Sequence, residues 1–334
     1  MPSPLAALRR AAPPPPPRAP DTAAGVHASA AHLAGLEGNA RQLVFRPRHP
    51  ARNLLAGRHA SRVRGRGLDF EELRQYQPGD DVRSIDWPVT ARMPQPFVRV
   101  YTEEKDRPTT IVVDQRINMF FGTRLAMKSF TAAEAAALCA WRAVTDGDRV
   151  AGIVFDDAGI HHHRAERSRG ALLRLLGRIA GCNAALRADT SVARAPTQLD
   201  VALDVAVRTA SRDHLVVVVT DLDGRTAGTR ERLRRLAMRN DVVLFLIYDP
   251  FLVELPGSQD LVVTNGALQV EVPLGATSVR RALGDAADRH LREILGWQHE
   301  IGVTVAPLTA AEDTAAQLRH LIGRHAATAG RGRR

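Results

Sequence analysis

From residue 109 onwards, short apolar runs alternate with segments of helical periodicity. The runs are rich in Val, Ile and Leu, as in strands that are buried on both faces of a sheet. Strands are predicted over 109–114, 149–155, 214–220, 241–248 and 301–308, and helices over 124–144, 197–210, 228–239, 277–295 and 311–323. Because helices separate the strands, we predict an α/β fold with a doubly wound, mainly parallel sheet.

Two further β segments interrupt this alternation. Asn265-Gly266 separates two short β-type runs, which predicts an inserted β-hairpin over about 251–273. Residues 160–164 read as a polar edge strand that contains His161, His162 and His163. Alternate side chains of a strand point to opposite faces, so only His161 and His163 could share an ion. The sequence places no acidic or cysteine partner beside them, and a solvated edge is the simpler interpretation.

The net charge of +10 is concentrated at the two ends of the chain. We predict a disordered Pro/Arg-rich arm over 1–25 and a basic disordered tail over 326–334, around a nearly neutral centre. No basic stripe with interleaved aromatic residues occurs, so nucleic-acid binding is not expected. No apolar run approaches the length of about 18 residues that a spanning helix needs, and we expect no membrane insertion. Two cysteines, Cys139 and Cys182, are too few for a disulfide scaffold and favour a reducing, cytoplasmic location.

One stretch has the spacing of a phosphate-binding loop. Gly122, Lys128 and Ser129 fit Gly-x-x-x-x-Gly-Lys-Ser, but Met127 replaces the second glycine. The loop would also begin too far after the strand that ends at Asp114. We therefore expect Lys128 on an exposed helical turn.

The segment Asp221-Leu222-Asp223-Gly224 follows a predicted strand and resembles the phosphatase motif of the haloacid dehalogenase group. In that group one aspartate is the nucleophile and the next is the acid/base. Arg225 stands where the motif has Thr or Val, and the strand is not the first of its sheet. A phosphatase using Asp221 and Asp223 is therefore a minor alternative, and no catalytic residues are predicted.

Four polar residues lie on three loops that the predicted sheet would bring together: Asp114, Asn118, Thr197 and Asp221. In this arrangement the chain resembles the von Willebrand factor A fold. That fold holds a metal ion with an Asp-x-Ser-x-Ser loop, a Thr and an Asp, and such oxygen ligands suit Mg²⁺.

Arg116 and Asn118 occupy the two serine positions of that loop. Asn118 could offer a carbonyl oxygen, whereas Arg116 cannot ligate a cation. The leading expectation is a degenerate, metal-free site in which Arg116 replaces the ion and pairs with Asp114 and Asp221. A Mg²⁺-dependent site, or an Arg116 that points to solvent while the carboxylates cap helices, remain the alternatives.

A dense polar block precedes residue 109 and contains a long motif: Arg74, Tyr76, Asp80, Asp81, Arg83, Asp86, Trp87 and Arg92. Through this motif and YDPFLVELP at 248–256, the chain resembles the bacterial domain-of-unknown-function 58 family over about 30–325. The resemblance implies an extension over 26–107, a von Willebrand factor A-type domain over 108–325, and no cofactor beyond a possible Mg²⁺. It also implies a MoxR-type AAA+ ATPase as partner, in chaperone-like maturation of a client protein. The motif's alternating charges predict internal ion pairs, and its Trp, Tyr and Arg side chains could form a docking surface.

Overall fold

The computed structural model describes residues 25–43, 68–103, 108–189, 192–252, 261–264, 269–272 and 277–321. Residues 1–24 of the predicted arm, the predicted tail and the Asn265-Gly266 turn lie outside the described residues. The chain divides into two compact units, Met1–Arg46 with Arg107–Arg334, and Pro47–Asp106. The predicted extension over 26–107 is therefore divided between them.

The N-terminal segment is part of the larger unit. It contains α1 (Ala30–Gly35) and α2 (Glu37–Ala40), and the Ser29 side chain caps α1 by accepting from the His32 amide at 3.1 Å. Leu33 is fully buried, and its carbonyl oxygen accepts from Trp141 Nε1 at 3.0 Å. These contacts make the segment a piece of the main hydrophobic core rather than a separate extension.

The smaller unit is built on an antiparallel hairpin. Strand β1 (Leu68–Gln75) pairs with β2 (Phe97–Glu103), and the one-turn helix α3 (Trp87–Thr90) lies between them in the chain. A turn forms at Pro78-Gly79-Asp80, where Gly79 has φ +108° and the Asp80 amide donates to the Gln77 carbonyl. Strand β1 was not predicted, because its sequence LDFEELRQ lacks a clear apolar alternation.

The larger unit contains a six-stranded sheet and a separate two-stranded hairpin. In chain order the strands are β3 (Thr109–Asp114), β4 (Val150–Phe155), β5 (Ile160–Glu166), β6 (Leu215–Thr220), β7 (Asp241–Tyr248), β8 (Leu261–Thr264), β9 (Gln269–Val272) and β10 (Thr304–Thr309). The main sheet has the order β10-β7-β6-β3-β4-β5, and only β5 runs antiparallel to its neighbour. The predicted doubly wound, mainly parallel sheet is confirmed, and its strand order is that of a doubly wound α/β fold. Strands β8 and β9 form the inserted hairpin.

Helices cover both faces of this sheet. They are α4 (Lys128–Thr145), α5 (Arg169–Ala184), α6 (Gln198–Thr209), α7 (Ala227–Ala237), α8 (Thr277–Glu300) and α9, which is described over 314–321. Val113 packs into a core with α1, α4 and α5, whereas its neighbour Val112 packs into a second core with α6, α7 and α8. Helix α5 crosses β4 closely, because a Cβ on Gly152 would lie 2.2 Å from Leu175 Cδ1.

The parallel strands all end at one edge of the sheet, which we call the carboxyl edge. The chain moves from β3 to β4 and β5 on one side, and from β6 to β7 and β10 on the other. The direction in which successive strands are added to the sheet therefore reverses between β3 and β6. Ligands of open α/β sheets bind in the crevice at such a switch point. Asp114 ends β3 at this point, and Asp221 directly follows β6.

Candidate functional site

Asp114 and Arg116 form a buried ion pair at the switch point. Arg116 Nε lies 2.9 Å from Asp114 Oδ1, and Nη2 lies 2.6 Å from Oδ2. The Arg116 side chain is only 1% exposed and that of Asp114 is 0% exposed. Two parallel, charge-assisted hydrogen bonds of this kind are among the strong polar contacts in proteins. As predicted, Arg116 turns inward and pairs with Asp114. The alternative, in which Arg116 points to solvent, is wrong.

The same guanidinium connects three loops of the carboxyl edge. Arg116 Nη1 donates to the Pro196 carbonyl and Nη2 donates to the Asp223 carbonyl, both at 3.1 Å. Its Cζ also lies 5.4 Å from the centre of the Phe155 ring at the end of β4. Arg116 thus fills the space between the loops that follow β3 and β6 and the loop that precedes α6.

Thr220 fixes the loop after β6 against Asp114. Its Oγ1 donates to Asp114 Oδ2 at 2.7 Å and accepts from the Leu222 amide at 3.0 Å. Leu222 is fully buried and has φ +58°, a left-handed conformation that costs a non-glycine residue about 1–2 kcal/mol. The turn that results directs the Asp223 carbonyl towards Arg116.

Asp221 is held by a second buried cation. Lys128 Nζ lies 2.6 Å from Asp221 Oδ2, while Asn118 Nδ2 and the Asp223 amide donate to Oδ1 at 2.9 and 2.8 Å. Two expectations are therefore wrong. Lys128 is only 8% exposed, whereas an exposed position on a helical turn was expected. It is buried because it is the first residue of α4, and from there its side chain reaches the carboxyl edge. Arg116 does not pair with Asp221, because its donors go to Asp114 and two carbonyls.

The electrostatics of the two pairs follow from burial and proximity. Burial lowers the pKa of Arg116, but the charge and hydrogen bonds of Asp114, together with the charges of Asp221 and Asp223, raise this pKa above its ordinary value. Burial raises the pKa of Asp114, with Arg116 acting against it. Burial also opposes ionisation of Asp221, yet the Lys128 charge and hydrogen bond lower its pKa below the ordinary value. Two carboxylates thus face two cations, and the formal charges balance.

Thr197 does not join this cluster. It is the N-cap residue of α6, is exposed, and forms no side-chain capping hydrogen bond. The preceding residue, Pro196, takes part instead through its carbonyl oxygen. Of the four predicted ligands, the structure brings together Asp114, Asn118 and Asp221, whereas the Thr197 side chain is exposed and lies outside the cluster.

The residues present do not fit a divalent cation. Mg²⁺ requires several oxygen ligands in near-octahedral geometry. The oxygens of Asp114 accept from Arg116 and Thr220, and Asn118 presents its amide nitrogen to Asp221. A metal ion would also lie beside the cationic groups of Arg116 and Lys128, and like charges at such short range repel strongly.

The phosphatase alternative finds little support in this geometry. Both oxygens of Asp221 already accept hydrogen bonds, which lowers their availability as a nucleophile. The Asp223 carboxylate pairs with Arg194 at 2.8 Å on the surface.

Asp157 is a loop-fixing residue that the sequence did not indicate. Its Oδ2 accepts from the Ile117 amide at 2.6 Å, and its Oδ1 accepts from the Ala195 amide at 2.7 Å. One side chain after β4 therefore holds both the loop after β3 and the loop before α6. An aspartate after a strand was the available signal, but Asp156 and Asp157 could not be distinguished by sequence.

Apolar side chains also lie at the carboxyl edge. Phe121 is 41% exposed and Leu125 is 42% exposed, and both lie in the connection from β3 to α4 at the carboxyl edge. The rings of Phe121 and Phe251 meet edge to face, with centroids 6.1 Å apart. We call Phe121, Leu125 and Phe251 the apolar rim.

The motif of the smaller unit forms internal ion pairs, as expected. Arg74 makes two hydrogen bonds to Asp80, at 2.8 and 2.7 Å. Asp86 pairs with Arg99 at 2.7 Å, so its partner is none of the three motif arginines.

Other motif residues shape the turn or lie on the surface. The Asp81 side chain accepts from the Arg83 amide and caps a short 3₁₀ turn, and the Tyr76 amide donates to the Pro96 carbonyl. The side chains of Arg83, Trp87 and Arg92 are exposed, Trp87 to 62%. The three aspartates of the motif form contacts within the smaller unit, whereas these three side chains face solvent.

Within the described ranges, the structure contains no helix that is both long and apolar enough to cross a membrane.

Comparison with known proteins identifies relatives of the chain. Two proteins of Mycobacterium tuberculosis, "Uncharacterized protein Rv1480" and "Uncharacterized protein MT1527", are each 32% identical to it over 215 residues. These matches cover 64% of this chain and 65% of each relative, so the similarity spans just under two thirds of their length.

Two solved structures are also similar. The conserved hypothetical protein BatB of Bacteroides thetaiotaomicron aligns at 13% identity and a TM-score of 0.39, covering 66% of this chain and 99% of BatB. A von Willebrand factor type A protein of Catenulispora acidiphila aligns at 13% identity and a TM-score of 0.33, covering 69% and 44% of the two chains. The family described as "Protein of unknown function DUF58" matches residues 72–293, a shorter span than the 30–325 expected from the motifs. The chain belongs to this family.

Proposed function

We propose that this protein is a non-enzymatic interaction module that presents its carboxyl edge to a protein partner without using a metal ion. The observation that carries the proposal is the double ion pair at the switch point. Arg116 with Asp114, and Lys128 with Asp221, occupy the place where a von Willebrand factor A-type site would bind its cation. A site of that type binds a partner's carboxylate through the metal, and this chain supplies its own internal charges instead.

The ion pairs favour a rigid platform over a ligand-exchange site. Arg116 and Asp157 each contact loops on both sides of the switch point. Breaking such a buried pair leaves an unpaired charge and is strongly unfavourable. The loops of the carboxyl edge therefore stay in one arrangement, which lowers the entropic cost of binding a partner.

The apolar rim supplies the contact surface in this proposal. Aromatic residues such as Phe are enriched in interfaces, and exposed apolar clusters bordered by polar groups are typical of docking sites. Phe121 and Leu125 lie next to the loop that Arg116 holds. Fixing that loop fixes the position of the rim.

The partner we propose is a MoxR-type AAA+ ATPase, in chaperone-like maturation of a client protein. This part of the proposal rests on the family resemblance. Trp87, Arg83 and Arg92 of the smaller unit form a second candidate contact surface, because Trp and Arg often dominate binding energy. Both cysteines are free, which fits a reducing compartment, and we include a cytoplasmic location in the proposal.

The test is a binding titration of the purified chain with the MoxR-type ATPase of the same organism. Phe121→Ser with Leu125→Ser should weaken binding at least about 10-fold, as expected for the loss of apolar anchors. Met238→Ser, which alters an exposed apolar residue at the end of α7, is the matched control and should bind as the wild type does. Equal binding by all three proteins would overturn the proposed surface.

The same titration separates the alternatives. A chelator should leave binding unchanged, and a chelator-sensitive interaction restored by Mg²⁺ would favour the metal-dependent module. Turnover of p-nitrophenyl phosphate that is lost in Asp221→Asn would favour the phosphatase. A Trp87→Ala variant that binds normally would remove the smaller unit from the interface.

A further inference from the structure

Three potential metal ligands converge outside the double ion pair. Asp156 follows β4, His161 lies on β5, and Cys182 lies in the last turn of α5. One ligand atom from each lies within 4.8 Å of the others. The sequence suggested that His161 could share an ion with His163, but the structure instead places His161 beside an acid and a thiol.

The separations are close to those of a tetrahedral zinc site. Bonds of about 2.0–2.3 Å to N, O and S place the donors of such a site about 3.3–3.8 Å apart. Asp156 Oδ2 and His161 Nε2 are 3.9 Å apart. Closing the remaining distances requires shifts of about 1 Å or less, which side-chain rotation alone can supply.

Asp156 is oriented for this role by its own loop. Its Oδ1 accepts from the amides of Ala158 and Gly159, both at 2.9 Å. These bonds fix the carboxylate and direct Oδ2 towards His161. The Cys182 sulfur lies within 4.8 Å of the ligand atoms of Asp156 and His161, so all three side chains already converge on one point.

The surroundings leave room for a fourth ligand. Asp156 and Cys182 line a cavity of about 90 Å³, enough for a water molecule. Arg187 also borders this cavity, and its guanidinium pairs with Asp189 at 3.1 Å. Cys182 is buried, whereas His161 is partly exposed and gives an ion access from solvent.

We propose that Asp156, His161 and Cys182 bind a zinc-class transition-metal ion, with a solvent molecule as the fourth ligand. A thiolate and an imidazole select Zn²⁺ and related ions over Mg²⁺, which prefers oxygen ligands. This inference is independent of the partner proposed above and of the double ion pair.

The site has a structural consequence for the carboxyl edge. Asp157, the next residue, holds the amides of Ile117 and Ala195. A metal ion on Asp156 and His161 would cross-link the turn between β4 and β5. It would thereby reduce the motion of the turn that carries Asp157, and with it the two loops that Asp157 holds.

Titration of the full chain with Co²⁺ tests the site, because a cobalt–thiolate bond gives a charge-transfer absorption band. The wild type should show the band at one Co²⁺ per chain, and Zn²⁺ should displace it. The chain offers a matched control, since Cys139 and Cys182 are both buried and free. Cys182→Ala should abolish the band, and Cys139→Ala, in the middle of α4, should retain it.

A second pair of variants covers the case in which a cysteine variant fails to fold. His161→Ala should weaken Co²⁺ binding at least about 10-fold, a loss in the range known for disturbed metal sites. His162→Ala, on the exposed opposite side of the strand, should not change it. No band in the wild type, or equal affinity in both histidine variants, would overturn the proposal. Hydrogen exchange at Ile117 and Ala195 should slow on Zn²⁺ addition, and unchanged exchange would refute the link to the carboxyl edge.

Discussion

Replacing Arg116 by Met removes the cation from Asp114 while keeping most of the side-chain volume. Asp114 would retain hydrogen bonds from Thr220 and from the backbone amide of residue 116, but its charge would be buried without a counter-ion. The Pro196 and Asp223 carbonyls would each lose a donor as well. Removing one member of a buried ion pair costs about 3–5 kcal/mol, and we expect the free energy of unfolding to fall by this amount.

Two controls isolate the charge. Arg187→Met breaks a surface pair with Asp189, in which both side chains are at least 70% exposed, and should cost less than about 1 kcal/mol. The double variant Asp114→Asn with Arg116→Met removes both charges and should recover a large part of the loss, because a neutral amide is cheaper to bury than a carboxylate. Urea unfolding followed by near-ultraviolet circular dichroism measures all three. A loss below about 1 kcal/mol in Arg116→Met, or a double variant less stable than Arg116→Met, would refute the reasoning.

Three further predictions concern the larger unit. Leu33→Ala should lower the free energy of unfolding by about 2–5 kcal/mol, because Leu33 is fully buried in the main core; a loss below 1 kcal/mol in urea unfolding would contradict this placement. The Glu134 carboxylate accepts a hydrogen bond from His32 Nε2 and raises the pKa of His32, so the stability that this pair contributes should be present below pH of about 6.5 and fade as pH rises through the folded-state pKa. His32→Gln should remove this part of the pH dependence, and an unchanged pH profile would exclude the pair as its source. Gly224→Ala should destabilise by about 1–3 kcal/mol, because Gly224 has φ +76° and its Cβ would lie 2.6 Å from Pro196 Cβ; thermal unfolding equal to wild type would contradict this.

The sequence predicted the sheet because burial dominates its pattern. Val216–Val219 and Ile111–Val113 are fully buried, and such runs have few alternatives to a central strand. The same reasoning missed β1, whose stability depends on pairing with β2 rather than on an apolar run. It also missed the contact between Leu33 and Trp141, because the sequence of a short alanine-rich helix does not indicate which part of the fold the helix packs against.

The candidate site was predicted in outline, together with the pairing of Arg116 and Asp114, but the partner of Asp221 was not predicted. Strand ends placed Asp114 and Asp221 together, since parallel strands finish at one edge. The partner of Asp221 depends on where α4 begins, and element boundaries are poorly determined by local sequence.

The most direct test of the central claim is calorimetric titration with Mg²⁺ and Mn²⁺ in a Cys182→Ala background, which removes the second proposed site. With Arg116 and Lys128 in place, we expect no binding at millimolar metal. The variant Arg116→Ser with Lys128→Ala exposes both carboxylates to an incoming ion and should gain Mn²⁺ binding. Metal binding by the chain that retains both cations, lost on Asp114→Asn, would contradict the claim that internal charges take the place of the ion.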